Sequence, residues 1–184
     1  MNEANPVSTP AESITYKDTD KIKDEVQHFP YREAVGSLMY LEIGSRPDIS
    51  YALGVASRHL DKPTTQDITA VKRIIRYVKG TRLLGICFKS NNKLIVSCFS
   101  DADYGGDTET RRSTSGFVFL LGHSPISWSS QRQQCVALST MEAEYIAGAN
   151  AVKEIVWLLR LMNDLLEEGC GKPSLYWIIK VPSN

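Results

Sequence analysis

The hydrophobic pattern changes its period at Gly80, and this change decides which secondary structures the chain can form. Before Gly80, apolar residues recur every three or four positions, as they do on the buried face of a helix. After Gly80, apolar and β-branched residues form short runs separated by turn-like sequences, which is typical of strands. The sequence therefore predicts a helical segment followed by a sheet.

Three helices are predicted in the helical segment. They cover residues 30–44, 46–60 and 65–79. Pro30 near the start of the first helix and Gly44 at its end are residue types that begin and end helices. The residues before this segment, 1–28, are polar and carry too few apolar side chains to offset the entropy of ordering a chain. We therefore expect a disordered leader over 1–28 and a helical segment over 29–82.

The remainder of the chain predicts strands and one long helix. The predicted strands cover residues 83–89, 93–100, 115–122 and 125–130, a further strand begins at Ser174, and the helix covers 139–166. The first two strands are joined by a turn-like sequence at 90–92, which suggests a hairpin. Strands followed by a long helix and another strand predict an α/β sheet with a covering helix, in a domain that spans 83–184.

Basic residues are concentrated on the third predicted helix. The chain as a whole has 21 basic and 21 acidic residues, so its net charge gives no indication of a nucleic-acid partner. Four basic side chains nevertheless fall largely on the side of this helix opposite its apolar residues: Lys72, Arg73, Arg76 and Lys79. Such a face is most often simply solvated, and the functional alternative is that it contacts phosphates.

Asp101 ends an apolar run and precedes a glycine-containing turn that also carries Asp103 and Asp107. A carboxylate at this point is well placed to bind a metal ion, because the strand fixes it and the turn exposes it. The alternative is an acidic turn between strands, since Asp and Gly are common in turns for reasons of backbone conformation.

Two glutamates open the long predicted helix. Ser139 followed three positions later by Glu142 is a capping-box signature, which gives Glu142 a structural role at the start of the helix. Glu144 has no such role. It is either a solvated acid that suits the helix N-terminus or an acid directed toward the same edge of the sheet as Asp101. The spacing of the residues leaves both interpretations open.

Several classes of site lack support in the sequence. The four cysteines, Cys87, Cys98, Cys135 and Cys170, form no CxxC motif and no cluster with histidines, so we expect free thiols and neither a zinc site nor a disulfide framework. No nucleophile motif and no phosphate-binding glycine loop is present. No run approaches the roughly 18 apolar residues of a membrane span, and the first residues lack the features of a signal peptide. We expect an intracellular protein, cytoplasmic or nuclear, that is neither secreted nor in contact with a membrane.

Two long strings carry a resemblance to a known family. Residues 31–81, which begin YREAVGSLMYLEIGSRPDI, and residues 100–158, which include SDADYGGDTETRRSTSG and ALSTMEAEYIAGA, are the strings concerned. They resemble the end of the reverse transcriptase and the start of the RNase H domain in copia-type retrotransposon Pol polyproteins. The similarity extends from about Pro30 to Tyr176.

The resemblance implies an RNase H-like fold, in which a mixed sheet and helices present four acidic residues to two Mg²⁺ ions. Asp101 in SDAD and Glu144 in AEYIA match the first two of these acids. The family's third acid follows a SerLeuTyr-like string, but this chain continues as WIIKVPSN and has no acid after Glu168. We therefore expect an α/β fold with a small helical segment followed by an incomplete RNase H-like mixed sheet and a long covering helix.

The function implied by the resemblance is hydrolysis of the RNA strand in RNA/DNA hybrids, with Mg²⁺ as the cofactor. Because the later acidic ligands are missing, we expect this activity to be weak or absent here. The implied partners are RNA/DNA hybrid or another nucleic acid and the rest of the polyprotein. Two alternatives remain, a non-catalytic nucleic-acid-binding module that uses the basic helix face and a transposon remnant without a function.

Overall fold

The computed structural model describes residues 4–12, 29–89, 95–165 and 173–177. The chain divides into two compact units, Met1–Gly85 and Ile86–Asn184. This division falls three residues beyond the boundary at 82 that the sequence predicts. The residues just after the last helix of the first unit form a turn in which Leu84 N donates to Thr81 O at 3.0 Å.

The first unit is helical. Helix α1 spans Tyr31–Ser45, α2 spans Ser50–Ala56 and α3 spans Thr65–Gly80, while 3₁₀ turns at Pro47–Ile49 and Ser57–His59 flank α2. The second predicted helix therefore consists of α2 together with its two flanking turns. Helix α3 begins with a capping box in which Thr64 Oγ1 accepts from Asp67 N at 3.2 Å and Asp67 Oδ2 accepts from Thr64 N at 2.7 Å.

One apolar cluster holds these helices together. Val35 of α1, Ile49 of the first 3₁₀ turn, and Val71 and Ile74 of α3 are all buried within it, none with more than 1% of its surface exposed. Burial of each such side chain contributes roughly 1.5–3 kcal/mol. The hydrophobic periodicity of the sequence thus corresponds to the faces that meet in this core.

Residues 4–12 lie against the same helical unit. Val7 and Ala11 pack on its core, and Gly80 leaves room for Pro6, since a Cβ on Gly80 would lie 2.9 Å from Pro6 Cβ. Residues 4–12 therefore differ from the disordered leader predicted over 1–28, because their few apolar side chains reach a hydrophobic surface. Residues 1–3 and 13–28 of that prediction lie outside the described residues.

Arg46 joins the 3₁₀ turn after α1 to the end of α3. Its side chain is buried, and it donates from Nε and Nη2 to the Asp48 carboxylate at 2.9 and 2.7 Å and from Nη1 to Thr81 O at 3.2 Å. The guanidinium also lies over the Tyr77 ring, 5.5 Å from its centroid. The hydrogen bond from Arg46 is the main cause that holds the pKa of Asp48 below its ordinary value.

The second unit contains a mixed sheet with one long helix against it. The strands are β1 (Val96–Ala102), β2 (Thr114–Leu121), β3 (Ser124–Arg132) and β4 (Ser174–Trp177), and the helix is α4 (Thr140–Leu165). The order across the sheet is β3-β2-β1-β4, where β1 is antiparallel to β2 and parallel to β4. The observed α/β arrangement confirms the fold class predicted from the sequence and is consistent with a partial RNase H-like sheet.

Helix α4 covers one face of this sheet. Val96, Cys98 and Phe119 from the strands form a buried cluster with a row of α4 residues, Ala151, Ile155, Leu158 and Met162. The N-terminal turns of α4 lie outside this cluster. Among the helices of the described ranges, none is long and apolar enough to cross a membrane.

One predicted strand is absent. Residues 83–89 form no strand, and Leu83 and Phe88 are largely exposed to solvent. A hairpin between this segment and β1 does not form because β2 and β4 already pair with the two sides of β1. The turn predicted at 90–92 lies outside the described residues.

Candidate functional site

Asp101 lies at the end of β1, as the sequence predicts. Val96, Cys98 and Ser100 form a buried row along this strand, and Asp101 alternates out of that row and is half-buried. Its strand neighbour on β2 is Gly116. The Oδ1 atom of Asp101 is buried from solvent, so its carboxylate is held in the protein surface and does not extend freely into water.

The acids that follow Asp101 have structural partners. The Asp103 carboxylate accepts a hydrogen bond from Thr114 N, and its own backbone N donates to Thr114 O at 3.1 Å. Asp107 Oδ1 accepts from the backbone N of Glu109 and of Thr110, both at 3.1 Å. These contacts are the ones expected of acidic residues that shape a turn, so this part of the sequence carries out the structural role that was the alternative to metal binding.

Arg132 of β3 forms an ion pair with Asp107 in the same turn. Its Nη1 lies 2.5 Å from Asp107 Oδ2, and the Asp107 side chain is only 6% exposed. The negative charge of Asp107 is therefore paired with the positive charge of Arg132 within the second unit.

The start of α4 is fixed by the predicted capping box. Ser139 Oγ accepts from Glu142 N at 3.1 Å, which confirms the first half of the motif. Glu142 Oε2 accepts from Leu138 N at 2.6 Å, one residue before the expected partner. Glu142 therefore has the structural role that the sequence predicts.

Glu144 lies in the second turn of α4 and is half-buried, with Oε2 buried from solvent. A buried glutamine connects the preceding residue to the sheet. Gln133 Nε2 donates to Ser115 Oγ at 2.8 Å and to Ala143 O at 2.9 Å. Ser115 is the neighbour of Ala102 across the β1–β2 ladder. Gln133 therefore links Ala143, the residue before Glu144, to Ser115. The residue after Ser115, Gly116, pairs with Asp101 across the strands.

This link and the core cluster together define the direction of α4. Its later residues, such as Ile155, pack with Val96 at the beginning of β1, while its first turns are tied to the end of β1. The two acids predicted from the sequence, Asp101 and Glu144, are thus at the same end of the unit. Sequence reasoning missed Gln133, because a glutamine in the polar run QRQQC gives no signal that it will be buried.

The chemistry of this pair suits a hard divalent cation. Mg²⁺ takes oxygen ligands, and proteins usually bind it through one or two carboxylates while several water molecules remain on the ion. Asp101 supplies a half-buried carboxylate from a strand and Glu144 one from a helix, which are ligands of the type that such an ion takes. Within the ranges that the structure describes, no three acidic, histidine or cysteine side chains are grouped as a metal site.

The second predicted site is the basic face of α3, formed by Lys72, Arg73, Arg76 and Lys79. Residues 4–12 run along it. Arg73 donates from Nε to Thr9 O at 3.1 Å and lies 2.5 Å from a Glu12 carboxylate oxygen. Arg76 donates from Nε to Asn5 O at 2.6 Å. These two guanidinium groups therefore form hydrogen bonds and an ion pair with residues 4–12 of the same chain.

The two lysines of the basic face also have partners within the first unit. Lys79 Nζ donates to Ala4 O at 2.9 Å, and Lys72 Nζ lies 5.5 Å from the centroid of the Phe29 ring. The face is neither bare nor simply solvated, because a segment of the chain covers it. Binding of nucleic acid by these four residues stays a prediction.

Comparison with known proteins identifies relatives along most of the chain. It is 42% identical over 171 residues to the retrovirus-related Pol polyprotein from transposon TNT 1-94 of Nicotiana tabacum. The aligned region covers 90% of this chain and 13% of that protein. It is 40% identical over 179 residues to the retrovirus-related Pol polyprotein from transposon RE2 of Arabidopsis thaliana, which covers 96% of this chain and 12% of that protein.

A shorter relative has a different name. The chain is 42% identical over 133 residues to the secreted RxLR effector protein 161 of Plasmopara viticola, which covers 72% of this chain and 94% of that protein. No family model and no solved structure matches the chain.

The two transposon relatives are much longer than this chain, which spans only 13% and 12% of their lengths. A third, from transposon RE1 of Arabidopsis thaliana, is 42% identical over 179 residues. Since these matches run through both the helical unit and the sheet, the chain belongs to the family of retrovirus-related Pol polyproteins of copia-type transposons.

Proposed function

We propose that the chain is the RNase H-like segment of a transposon Pol polyprotein, with the RNA strand of an RNA/DNA hybrid as the substrate. In this proposal Asp101 and Glu144 bind one divalent cation, and the chain alone cleaves the hybrid weakly or not at all. The observation that supports the site most directly is the Gln133 link, which joins the neighbours of these two acids at one end of the sheet.

The two carboxylates would have distinct tasks in this site. Asp101 would provide a ligand fixed by β1, and Glu144 would provide one whose position depends on the first turns of α4. A bound Mg²⁺ would supply the Lewis acid that polarises a phosphate oxygen and lowers the pKa of a water molecule. Each acid has one carboxylate oxygen buried from solvent, so both side chains are held against the protein surface.

Weak activity is proposed because hydrolysis of a phosphodiester by two metal ions needs more carboxylates than this pair. Two ions roughly 4 Å apart stabilise the attacking and the leaving oxygen. Asp103 and Asp107 are already bonded within their turn, and no acid occurs between residues 169 and 184. The remaining ligands would have to come from other parts of the polyprotein.

Contact of the basic face of α3 with nucleic acid is a separate proposal. It would require residues 4–12 to leave that face, since Arg73, Arg76 and Lys79 donate to them. The proposed location is intracellular, where an RNA/DNA hybrid would be available as the substrate.

An assay with purified chain and a labelled RNA/DNA hybrid in Mg²⁺ tests the proposed function. We expect the unsubstituted chain to cleave the RNA strand little or no more than the Asp101→Asn variant does. Efficient cleavage that Asp101→Asn and Glu144→Gln both abolish would contradict the proposed weak activity and would retain the proposed site. Binding of divalent cations that neither substitution changes would contradict the site itself.

A further inference from the structure

We propose that Gln133 is a positioning residue for the candidate metal site. Its side-chain amide ties Ala143, at the end of the first turn of α4, to β2 and thereby holds Glu144 at the end of the sheet that carries Asp101. The consequence for metal binding rests on the proposed function, whereas the effect on the position of α4 does not.

The hydrogen bonds of Gln133 come from a side chain that is almost entirely buried. Gln133 is 4% exposed, and its Nε2 group uses both hydrogens, toward Ser115 Oγ at 2.8 Å and Ala143 O at 2.9 Å. Its backbone N donates to Ser113 O at 2.8 Å, which fixes the point from which the side chain extends. Gln133 thus contacts both β2 and α4 through directional bonds.

Gln133 supplies a buried, directional contact between the start of α4 and the sheet. Ala143 and Ala147 are buried there as well, but apolar packing is non-directional, and the apolar cluster begins at Ala151, about two turns beyond Ala143. Tyr104 OH donates to Leu138 O at 3.3 Å, but this bond is exposed and lies before the helix. A second polar link, from Ser127 Oγ to Glu154 Oε1 at 3.1 Å, also lies far from the first turns. The capping box of Ser139 and Glu142 orders the helix end locally without reaching the sheet.

The amide oxygen of Gln133 also bears on why a glutamine occupies this position. Gln133 Oε1 is buried and accepts no hydrogen bond from the part of the chain that the structure describes. A buried acceptor without a partner is unfavourable. The two hydrogen bonds from Nε2 to Ser115 and Ala143 offset this cost, and they are what a glutamine provides here that an apolar side chain of the same length would not.

Gln133 acts on the site only through its neighbours. Ala143 precedes Glu144 in the helix, and Ser115 precedes Gly116, the neighbour of Asp101 across the strands. Residues that hydrogen-bond directly to metal ligands change metal affinity by about 10-fold to 100-fold when they are replaced, and Gln133, which acts one residue further away, should lie at the lower end of that range.

The test compares Gln133→Met with Ile155→Val in the full chain. Methionine keeps the length of the side chain and removes both donors, whereas Ile155→Val perturbs the core of the same unit away from the acids. Amide hydrogen exchange over residues 144–150 reports the position of the helix start, and calorimetric titration with Mn²⁺ reports the site. Urea unfolding of both variants shows whether their stabilities are comparable.

We expect Gln133→Met to speed exchange over residues 144–150 by about 10-fold and to weaken Mn²⁺ binding by about 10-fold, and Ile155→Val to do neither. Equal exchange in the two variants would contradict the role of Gln133. If the unsubstituted chain binds no Mn²⁺, the proposed function fails, and the exchange measurement still decides whether Gln133 positions α4. Faster exchange with unchanged Mn²⁺ affinity would contradict the inference that this positioning serves the metal site.

Discussion

Arg76 of α3 donates from Nε to the carbonyl oxygen of Asn5 at 2.6 Å, and this bond belongs to a row of contacts between α3 and residues 4–12. Arg73 adds bonds to Thr9 and an ion pair with Glu12 in the same row. A basic helix face that suggested phosphate contacts in the sequence therefore binds backbone carbonyls of its own chain.

Removing these donors should destabilise the helical unit. We expect Arg73→Gln combined with Arg76→Gln to lower the free energy of unfolding by about 1 kcal/mol, since the hydrogen bonds that are lost hold residues 4–12 on α3 but are exposed to solvent. Urea unfolding followed by far-UV circular dichroism measures the change. Arg82→Gln, at an exposed position, is the matched control, and equal stability of the two variants would count against docking of residues 4–12.

The pair Arg46 and Asp48 should make the stability of the first unit depend on pH in the acid range. The pKa of Asp48 is lowered from its ordinary value of 3.8 in the folded state, chiefly by the hydrogen bond from Arg46. The contribution of this pair is therefore present above the unfolded-state pKa and is lost as pH falls through the lower, folded-state pKa.

Asp48→Asn should remove that part of the pH dependence. Urea unfolding at a series of pH values below neutrality measures it, and the variant should lose less stability than the unsubstituted chain on acidification. Because Asp48 is one-third exposed, the effect should be modest. The same slope in both proteins would show that this pair contributes nothing to acid unfolding.

Gly106 should tolerate no side chain. A Cβ at this position would overlap the Asp103 carboxylate, which is held by the backbone N of Thr114. We expect Gly106→Ala to destabilise the second unit by about 1–3 kcal/mol, because that hydrogen bond must shift.

Gly36→Ala is a useful contrast, since nothing lies within 4 Å of a Cβ there and the residue is in the middle of α1. It should stabilise the first unit by roughly 0.5–1 kcal/mol, and thermal unfolding of both variants distinguishes the two outcomes.

Cys98 should resist alkylation in the folded chain. Burial raises the pKa of its thiol to about 12, whereas Cys87 and Cys135 are exposed. Since the thiolate is the reactive species, iodoacetamide at mildly alkaline pH should modify Cys87 and Cys135 and reach Cys98 only after unfolding. Mass spectrometry of peptides resolves the individual sites. Rapid native labelling of Cys98 would mean that the β1–α4 core opens readily.

The elements that the sequence predicted correctly depend on local information. The period of the apolar residues locates α3 and α4, and the spacing of Ser139 and Glu142 identifies a helix start, because both signals lie within a few turns of one helix. The end of β1 at Asp101 is likewise marked by the turn that follows it.

The elements that the sequence did not predict depend on partners distant along the chain. Residues 83–89 have the composition of a strand, but both sides of β1 are taken by β2 and β4. Residues 4–12 are ordered by donors on Arg73 and Arg76, more than 60 positions away. The role of Gln133 depends on three segments that meet only in the fold, so no local pattern indicates it.

The proposed site for one divalent cation, formed by Asp101 and Glu144, can be measured by calorimetric titration of the purified chain with Mn²⁺. The titration is repeated with Asp101→Asn, with Glu144→Gln and, as a control for an acid engaged elsewhere, with Asp107→Asn. We expect one ion per chain, with binding lost in the first two variants and retained in the third for chain that remains folded. Absence of binding, or binding that persists in both Asp101→Asn and Glu144→Gln, would contradict the proposed site.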